Sequence, residues 1–376
     1  MSSTRLKIAC WAGIVIGILG LIVGFSTAPR DTWLWLLVGF VYFLGLANGM
    51  LIWAAAFRVA QTTWTCSVNR IGHSAIAFMP ILFLALIVLL VGVRNYVPWV
   101  EHPIPAKAAW LNVPFMVTRD ILSLAVLWGL LLWMVRLSLA ADTKETITAR
   151  DHYRLTAVST AAVMWYTIAA SVIAYDFIMS LTPDWYSTMF APYIWVTNCY
   201  LGLAVIVLMG ALLKGRFEVE QFQNMGNLLL GFSLFSMGLF FAQYLTIWYG
   251  NLPRETGFLI LRYLRGQWAW LGWTAFIMAY GLPFLLLQNR PLKRNPRLIS
   301  AVAILIVVGV AIERYVLIVP SIRPERLVLN PVPGLVVLTF LGAFVLAMTA
   351  FLRRYPAVSS ADAALEVSSL ELEALP

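Results

Sequence analysis

The chain is short of charge, histidine and cysteine, and each shortage excludes something. Only 11% of its 376 residues are Asp, Glu, Lys or Arg, against about 25% in a soluble globular domain. With 61% hydrophobic residues, it has too little polar surface to coat a water-soluble fold and belongs in a bilayer. The three histidines, His73, His102 and His152, are too few for the facing axial pairs of a di-haem cytochrome b. The three cysteines, Cys10, Cys66 and Cys199, lie far apart without a CxxC spacing. Neither a disulfide framework nor an iron–sulfur or zinc site is expected, and no cofactor is expected to be held by His or Cys. Walker and Rossmann glycine patterns are also missing, which removes ATPases and dinucleotide enzymes. Any electron transfer must therefore use cofactors in other chains.

What is present is a series of apolar runs. A spanning helix takes about 20 residues, and runs of that order cover 8–26, 33–57, 74–93, 115–135, 155–181, 190–213, 226–249, 268–287, 298–318 and 333–352. The fold class is thus all-α integral membrane, with ten spans and both termini on one side. Arg5 and Lys7 precede the first run and Ser26-Thr27-Ala28 imitates a cleavage site. The run exceeds the roughly 7–15 residues of a signal core, so it reads as a retained helix. Residues 1–356 form one membrane domain. The remainder, 357–376, is a tail carrying Asp362, Glu366, Glu371 and Glu373 and no Lys or Arg.

The net charge of +9 would suggest nucleic acid in a soluble protein. In a membrane protein it reflects loops enriched in Lys and Arg, so lipid is the expected partner and nucleic acid is not. With the N-terminus inside, 16 of the 26 Lys and Arg fall on the cytoplasmic side. That count favours cytoplasmic N- and C-termini. Trp33, Trp35, Trp99, Trp110, Trp185, Trp248 and Trp268 fall at outer span ends and read as an interfacial belt. Gly13, Gly17, Gly20 and Gly24 line one stripe of span 1, and Gly45 and Gly49 repeat the spacing on span 2. Both are packing features.

Ionisable groups inside a membrane are costly and therefore usually functional or paired. Arg119 and Asp120 open span 4, Asp176 ends span 5, and Glu313 with Arg314 lies in the outer third of span 9. The three acids sit at similar depth toward the outer face. Asp120, Asp176 and Glu313 are proton-carrier candidates, with Arg119 and Arg314 tuning them. The competing reading is that Arg119–Asp120 and Glu313–Arg314 neutralise each other as sequence neighbours. Span 7 ends in Gln243, Tyr244 and Tyr249, and the following loop adds Glu255 and Arg262. Gln243, Tyr249 and Glu255 are quinone-pocket candidates. At the inner end, Arg70 and His73 begin span 3, and His73 is either a proton inlet or a hydrogen-bonded helix-start residue. Asn48, Tyr166, Ser171 and Tyr280 either carry water between the two ends or join helices.

Two strings are familiar. Asp176-Phe-Ile-Met-Ser-Leu-Thr-Pro-Asp-Trp-Tyr-Ser-Thr-Met and Gln243-Tyr-Leu-Thr-Ile-Trp-Tyr-Gly-Asn-Leu-Pro-Arg-Glu-Thr resemble the NrfD/polysulfide-reductase-type membrane subunits of alternative complex III. Trp64 to Arg70, Lys107 to Arg119 with Leu111-Asn112, Pro283-Phe284 and Lys293-Arg294-Asn295 support the match, which spans roughly 35–320. The length looks most like the second quinone-binding-type subunit.

The resemblance implies two four-helix bundles, spans 2–5 and 6–9, with spans 1 and 10 peripheral. It implies a quinol:cytochrome c oxidoreductase in the bacterial inner membrane, with menaquinone or ubiquinone as the small molecule. It also implies a sister NrfD-like subunit and outer-face partners bearing iron–sulfur clusters and multihaem cytochrome c. On that reading the chain is not catalytic alone; it handles protons, contributes to quinone binding and anchors the redox subunits. Three departures stand out. His73 occupies a position where the family often has Glu, Arg254 replaces the first of two acids after Asn-x-Pro, and no His lies near Tyr280. Two other classes fit the composition: a secondary transporter, against which stands the lack of interrupted spans, and a purely structural membrane anchor.

Overall fold

A computed structural model describes residues 3–144, 146–213, 217–325, 327 and 331–355. The acidic tail 357–376 lies outside the described residues. Among them every regular element is helical, and ten helices are long and apolar enough to cross a membrane. These are α1 Thr4–Thr27, α2 Pro29–Val59, α3 Cys66–Val91, α4 Val113–Ala141, α5 Ala149–Leu181, α6 Phe190–Leu212, α7 Val219–Gly250, α8 Gly266–Leu286, α9 Pro296–Ser321 and α10 Val332–Arg354. Short connections make consecutive helices antiparallel. The links α2–α3, α4–α5, α6–α7 and α8–α9 therefore share one face with both ends of the helix array, here the termini face. The other links lie on the far face.

Helix ends follow local chemistry. Asn112 caps α4 by accepting from the Phe115 amide at 3.0 Å, with Pro114 in the first turn. Asn295 caps α9 through the Arg297 amide at 3.0 Å, again followed by proline. Thr148 and Asp151 form a reciprocal capping box at the start of α5. Asn251 ends α7 in the left-handed conformation, φ 46°, a region Asn tolerates better than most side chains. Pro253 then opens a short helix, Pro253–Leu259, that runs into a π-helical turn, Ile260–Leu264. The Asn-Leu-Pro of the second string is thus a helix stop and restart.

Helix α2 forms the centre. Of its most apolar stretch 89% is buried, against 17% for α1. It lies parallel to α6 at a crossing of small residues, where a Cβ on Gly49 or Gly202 would collide with the opposing backbone. Two parallel backbones in contact gain dispersion and weak Cα–H···O interactions that lipid cannot replace. The span 1 glycines do the same at the edge: Gly13, Gly17, Gly20 and Gly24 face Leu338, Thr339, Leu335 and Val332 of the antiparallel α10. Both glycine sets therefore pack as the sequence indicates.

Three expectations change. Helix α3 starts at Cys66, eight residues before the apolar run, so Arg70 and His73 lie within it rather than at its threshold. Spans are not all uninterrupted: α3 tightens to a 3-10 turn at Ala75–Phe78 ahead of Pro80, and α8 widens to a π-turn at Ile277–Gly281. Proline removes the amide that would have continued the α-helical ladder. Finally, the tryptophan belt is only partial. Trp110 and Trp248 are exposed, but Trp99, Trp185 and Trp268 are buried. Trp185 stacks on Phe258 at 3.7 Å, and Trp268 donates to Pro324 O at 2.9 Å.

Candidate functional site

The intramembrane acids separate into two clusters. In the first, Arg119 donates through Nε to Asp176 Oδ2 and through Nη2 to Asp176 Oδ1, both at 2.5 Å. Its remaining nitrogen, Nη1, reaches the Trp110 carbonyl at 2.8 Å. The guanidinium lies over the Trp110 ring, 4.0 Å from its centroid, and Trp110 Nε1 donates to Asp176 Oδ1 at 3.2 Å. Arg119 thus pairs across α4 and α5 with Asp176, not with its neighbour Asp120. Both oxygens of Asp176 are taken by the Arg119 guanidinium, so the sequence-neighbour pairing does not form here. Asp120 is fully buried, no hydrogen-bond donor reaches either of its carboxyl oxygens, and its charged neighbours are Asp176 and Arg119. Tyr96, in the 91–113 connection, is also close: burial pushes its phenol above the usual range and the field of Asp120 adds to the shift.

Beside this cluster on the far face is a cleft of about 330 Å3. Its walls include Lys107, Trp110, Tyr175, Ser180, Trp185 and Tyr186. Lys107 Nζ donates to the Pro183 carbonyl and Ser180 Oγ to Asp176 O at 2.6 Å, so the connections on either side of the cleft are tied together. Trp110 belongs to both the cleft and the carboxylate cluster.

In the second cluster, Glu313 receives the hydroxyls of Tyr193, on α6, and Tyr280, on α8. The Tyr280 bond is 2.6 Å. Its other oxygen takes Arg314 Nη1 at 2.7 Å, while Arg314 Nη2 donates to Thr197 Oγ1 at 2.6 Å and Asn198 Oδ1 at 3.0 Å. Here the neighbour pair does form. The π-turn of α8 carries Tyr280, and such turns re-aim side chains at functional or packing sites. Gln243 borders a water-sized space of about 10 Å3 next to Tyr193, Phe240, Phe258 and Tyr263. Tyr249 is 85% exposed and does not line that space; Glu255 is half-buried on the Pro253–Leu259 helix. The structure does not gather Gln243, Tyr249 and Glu255 around one cavity.

The two long strings meet on the far face. Thr182 Oγ1 donates to Ser321 Oγ at 2.8 Å, and Arg262 Nη2 donates to the same oxygen at 2.6 Å. Arg262 is buried without a carboxylate among its hydrogen-bond partners, and its other donors take the carbonyls of Val316, Leu317 and Phe258. Desolvation pulls its guanidinium down to about 9, which still leaves it cationic at neutral pH. It covers α9 carbonyls near the helix C-terminus, where a cation is favourable.

On the termini face, Arg70 is buried and paired with Asp142 at 2.5 Å. His73 is buried with no partner on Nδ1, bordering a water-sized space shared with Arg58, Asn69, Ser138 and Ser159. Of the proposed water carriers, Asn48 accepts from Trp128 Nε1 at 3.2 Å, Tyr166 donates to Trp195 O at 3.1 Å and Ser171 bonds back to Thr167 O. All three act as joints within or between helices.

Sequence reasoning missed Tyr193, Thr197 and Asn198. Tyr193 and Thr197, at i and i+4, share one face of an otherwise apolar helix and Asn198 flanks it; that polar patch was the available signal. It also missed Trp110 and Lys107 as cleft residues, because the fold of the 91–113 connection has no periodicity to read.

Residues 25–324 match the family described as polysulphide reductase, NrfD. No curated protein matches the chain. With ten apolar helices of spanning length and a family match over most of its length, the chain belongs to the NrfD family, integral membrane subunits of quinone-interacting redox complexes that partner with iron–sulfur and other redox subunits.

Proposed function

We propose that the chain is the second NrfD-like subunit of a quinol:cytochrome c oxidoreductase of the alternative complex III type, where it moves protons at the Arg119–Asp120–Asp176 cluster. The observation that carries this reading is charge imbalance in a buried volume. Two buried carboxyl groups share one guanidinium, and no donor reaches one of them, Asp120. Two ionised carboxylates at close range in low dielectric repel strongly, so a proton held on the pair neutralises the site. Asp120 takes it without breaking a hydrogen bond. Arg119 fixes Asp176 in place, and Trp110 links Asp176 to the cleft.

The cleft fits a quinol head group: it has the volume, flat aromatic walls in Trp110 and Trp185, and polar groups at Lys107 and Ser180. A quinol, menaquinol or ubiquinol, supplies electrons and protons when bound; electrons leave through iron–sulfur and multihaem cytochrome c partners. Trp110 orients the head group at the cleft edge, and Asp176 receives its protons and hands them to Asp120. Gln243, Tyr249 and Glu255 lie apart from this cleft; Gln243 is buried, and the exposed Tyr249 with Glu255 fits a surface facing partner chains. His73 is the inlet from the opposite face. Glu313 and Arg314 brace α6, α8 and α9.

This reading takes α2–α5 and α6–α9 as two four-helix bundles with α1 and α10 peripheral, in a bacterial inner membrane with both termini and the 357–376 tail cytoplasmic. The test uses the assembled complex in vesicles. Asp120→Asn and Asp176→Asn should each lower quinol oxidation by about a hundredfold, the range of a lost proton-transfer group, and lower proton release with it. Wild-type oxidation and release in both variants would remove the proton role.

A further inference from the structure

One wall of the cleft is held from outside it. Trp185, between α5 and α6, lines the cleft yet is only 1% exposed, so what lies behind it sets its position. Behind it is Phe258, on the Pro253–Leu259 helix, whose ring is nearly parallel to the indole with centroids 3.7 Å apart. The Arg262 guanidinium also covers the Phe258 ring, 3.6 Å from its centroid. Both separations are at van der Waals contact, and two groups that close to one centroid cannot share a face. The Phe258 ring is therefore sandwiched between Trp185 and Arg262.

A second route joins the same two residues. Arg262 Nη2 donates to Ser321 Oγ at 2.6 Å, and Thr182 Oγ1 donates to that oxygen at 2.8 Å. The Trp185 amide in turn donates to Thr182 O at 3.0 Å. A ring-face contact and a hydrogen-bonded chain thus both run from one guanidinium to Trp185. Arg262 is itself fixed, because Nε, Nη1 and Nη2 donate to the carbonyls of Val316, Phe258 and Leu317 at 3.1, 3.1 and 3.0 Å. A planar fork with five donors can hold these oxygens and still offer its face to a ring, which a lysine ammonium cannot.

We infer that Arg262 is a positioning residue for the cleft: through Phe258, and through Ser321 and Thr182, it holds Trp185 as a rigid inner wall for the quinol head group. The inference rests on the cleft being the quinol site. A wall already ordered before the ligand arrives spares binding the cost of ordering it. The shape of a cleft lined by the 91–113 and 181–190 connections then depends on the 251–265 connection, which joins α7 to α8.

The test uses the assembled complex, with a short-chain ubiquinol and a short-chain menaquinol as probes. Phe258→Leu keeps apolar bulk and removes the ring; Thr182→Val keeps the shape and removes the hydroxyl. Neither removes a carbonyl held by Arg262, so its cover of the α9 end stays in place. Each should raise KM about fivefold, the range of one lost aromatic pair or hydrogen bond, with kcat and the protons released per quinol unchanged. Phe258→Tyr, which restores the ring, should return KM toward the parent value. Ala109→Trp puts bulk into the cleft from its other side and should raise KM more than either substitution. An unchanged KM in Phe258→Leu and Thr182→Val beside a raised KM in Ala109→Trp overturns the positioning role and leaves the cleft standing. Lowered kcat at unchanged KM, or Phe258→Tyr behaving as Phe258→Leu does, also overturns it. An unchanged KM in Ala109→Trp removes the cleft reading itself, and this inference with it. If Phe258→Leu does not assemble, Thr182→Val decides alone.

Discussion

The two buried clusters near the far face use the same residue types in opposite proportions. Around Glu313 there is one carboxylate and one guanidinium, joined to each other and to Tyr193, Tyr280, Thr197 and Asn198, while Arg314 Nε has no partner among the described residues. Around Asp176 there are two carboxyl groups and one guanidinium, and Asp120 receives no hydrogen-bond donor. The first arrangement is balanced and next to a space that holds only a water; the second is unbalanced and next to a cleft of about 330 Å3. A balanced buried pair resists change because removing either partner strands the other. An unbalanced one has a group whose protonation relieves the imbalance. Burial alone therefore does not distinguish the two clusters; the ratio of acids to cations does.

The sharpest way to break this contrast is Glu313→Leu. It leaves Arg314 buried without its counter-charge and should cost about 3–5 kcal/mol, read as a large drop in the thermal unfolding midpoint of the detergent-solubilised chain. If Glu313→Leu folds as well as the parent, the balanced cluster is not a brace. Next comes Asp120→Asn, which removes no hydrogen bond to a donor and should change stability by less than about 1 kcal/mol while abolishing most proton release. An unfolding shift matching that of Glu313→Leu would erase the distinction between the clusters.

Smaller effects refine it. Tyr280→Phe deletes one of two hydroxyls on Glu313 and should cost about 1 kcal/mol, with quinol oxidation by the complex unchanged. A selective loss of oxidation at intact stability would instead move the chemistry to Glu313. Tyr249→Ala, at a side chain exposed on the far face, should lie within about 0.5 kcal/mol of the parent in the isolated chain. Any activity it costs in the complex would then come from partner contact, measurable as weaker co-purification of the redox subunits. That outcome would favour an anchoring role for this end of α7.

Much of the fold was legible because a bilayer imposes strong rules. Twenty-odd apolar residues between charges make a helix whatever its neighbours, since every backbone polar group must be satisfied within the segment. The glycine stripes on α1 and α2 were readable for a related reason: close backbone approach requires missing side chains, and a regular spacing marks the face. Helix distortions were less visible. No interrupted span is expected from the sequence reading, although Pro80 and Pro283 lie just past the two distortions; the π-turn of α8 also depends on what it meets, including Gly309 against Ala279.

The residues of the site were mostly visible as scarce charge, and their pairings were not. Asp120, Asp176, Arg119, Glu313 and Arg314 announce themselves because ionisable groups in apolar helices are costly. That they sit in apolar helices, and where along each helix, is legible from the sequence alone. The packed fold is needed to see that Arg119 turns from Asp120 to Asp176, that Glu313 keeps Arg314, and that Trp110 folds back from its connection to join cleft and carboxylate. The physical reason is that depth is fixed by position along one helix, whereas partnership is fixed by helix rotation and by the path of the loops, which depend on every packed neighbour at once.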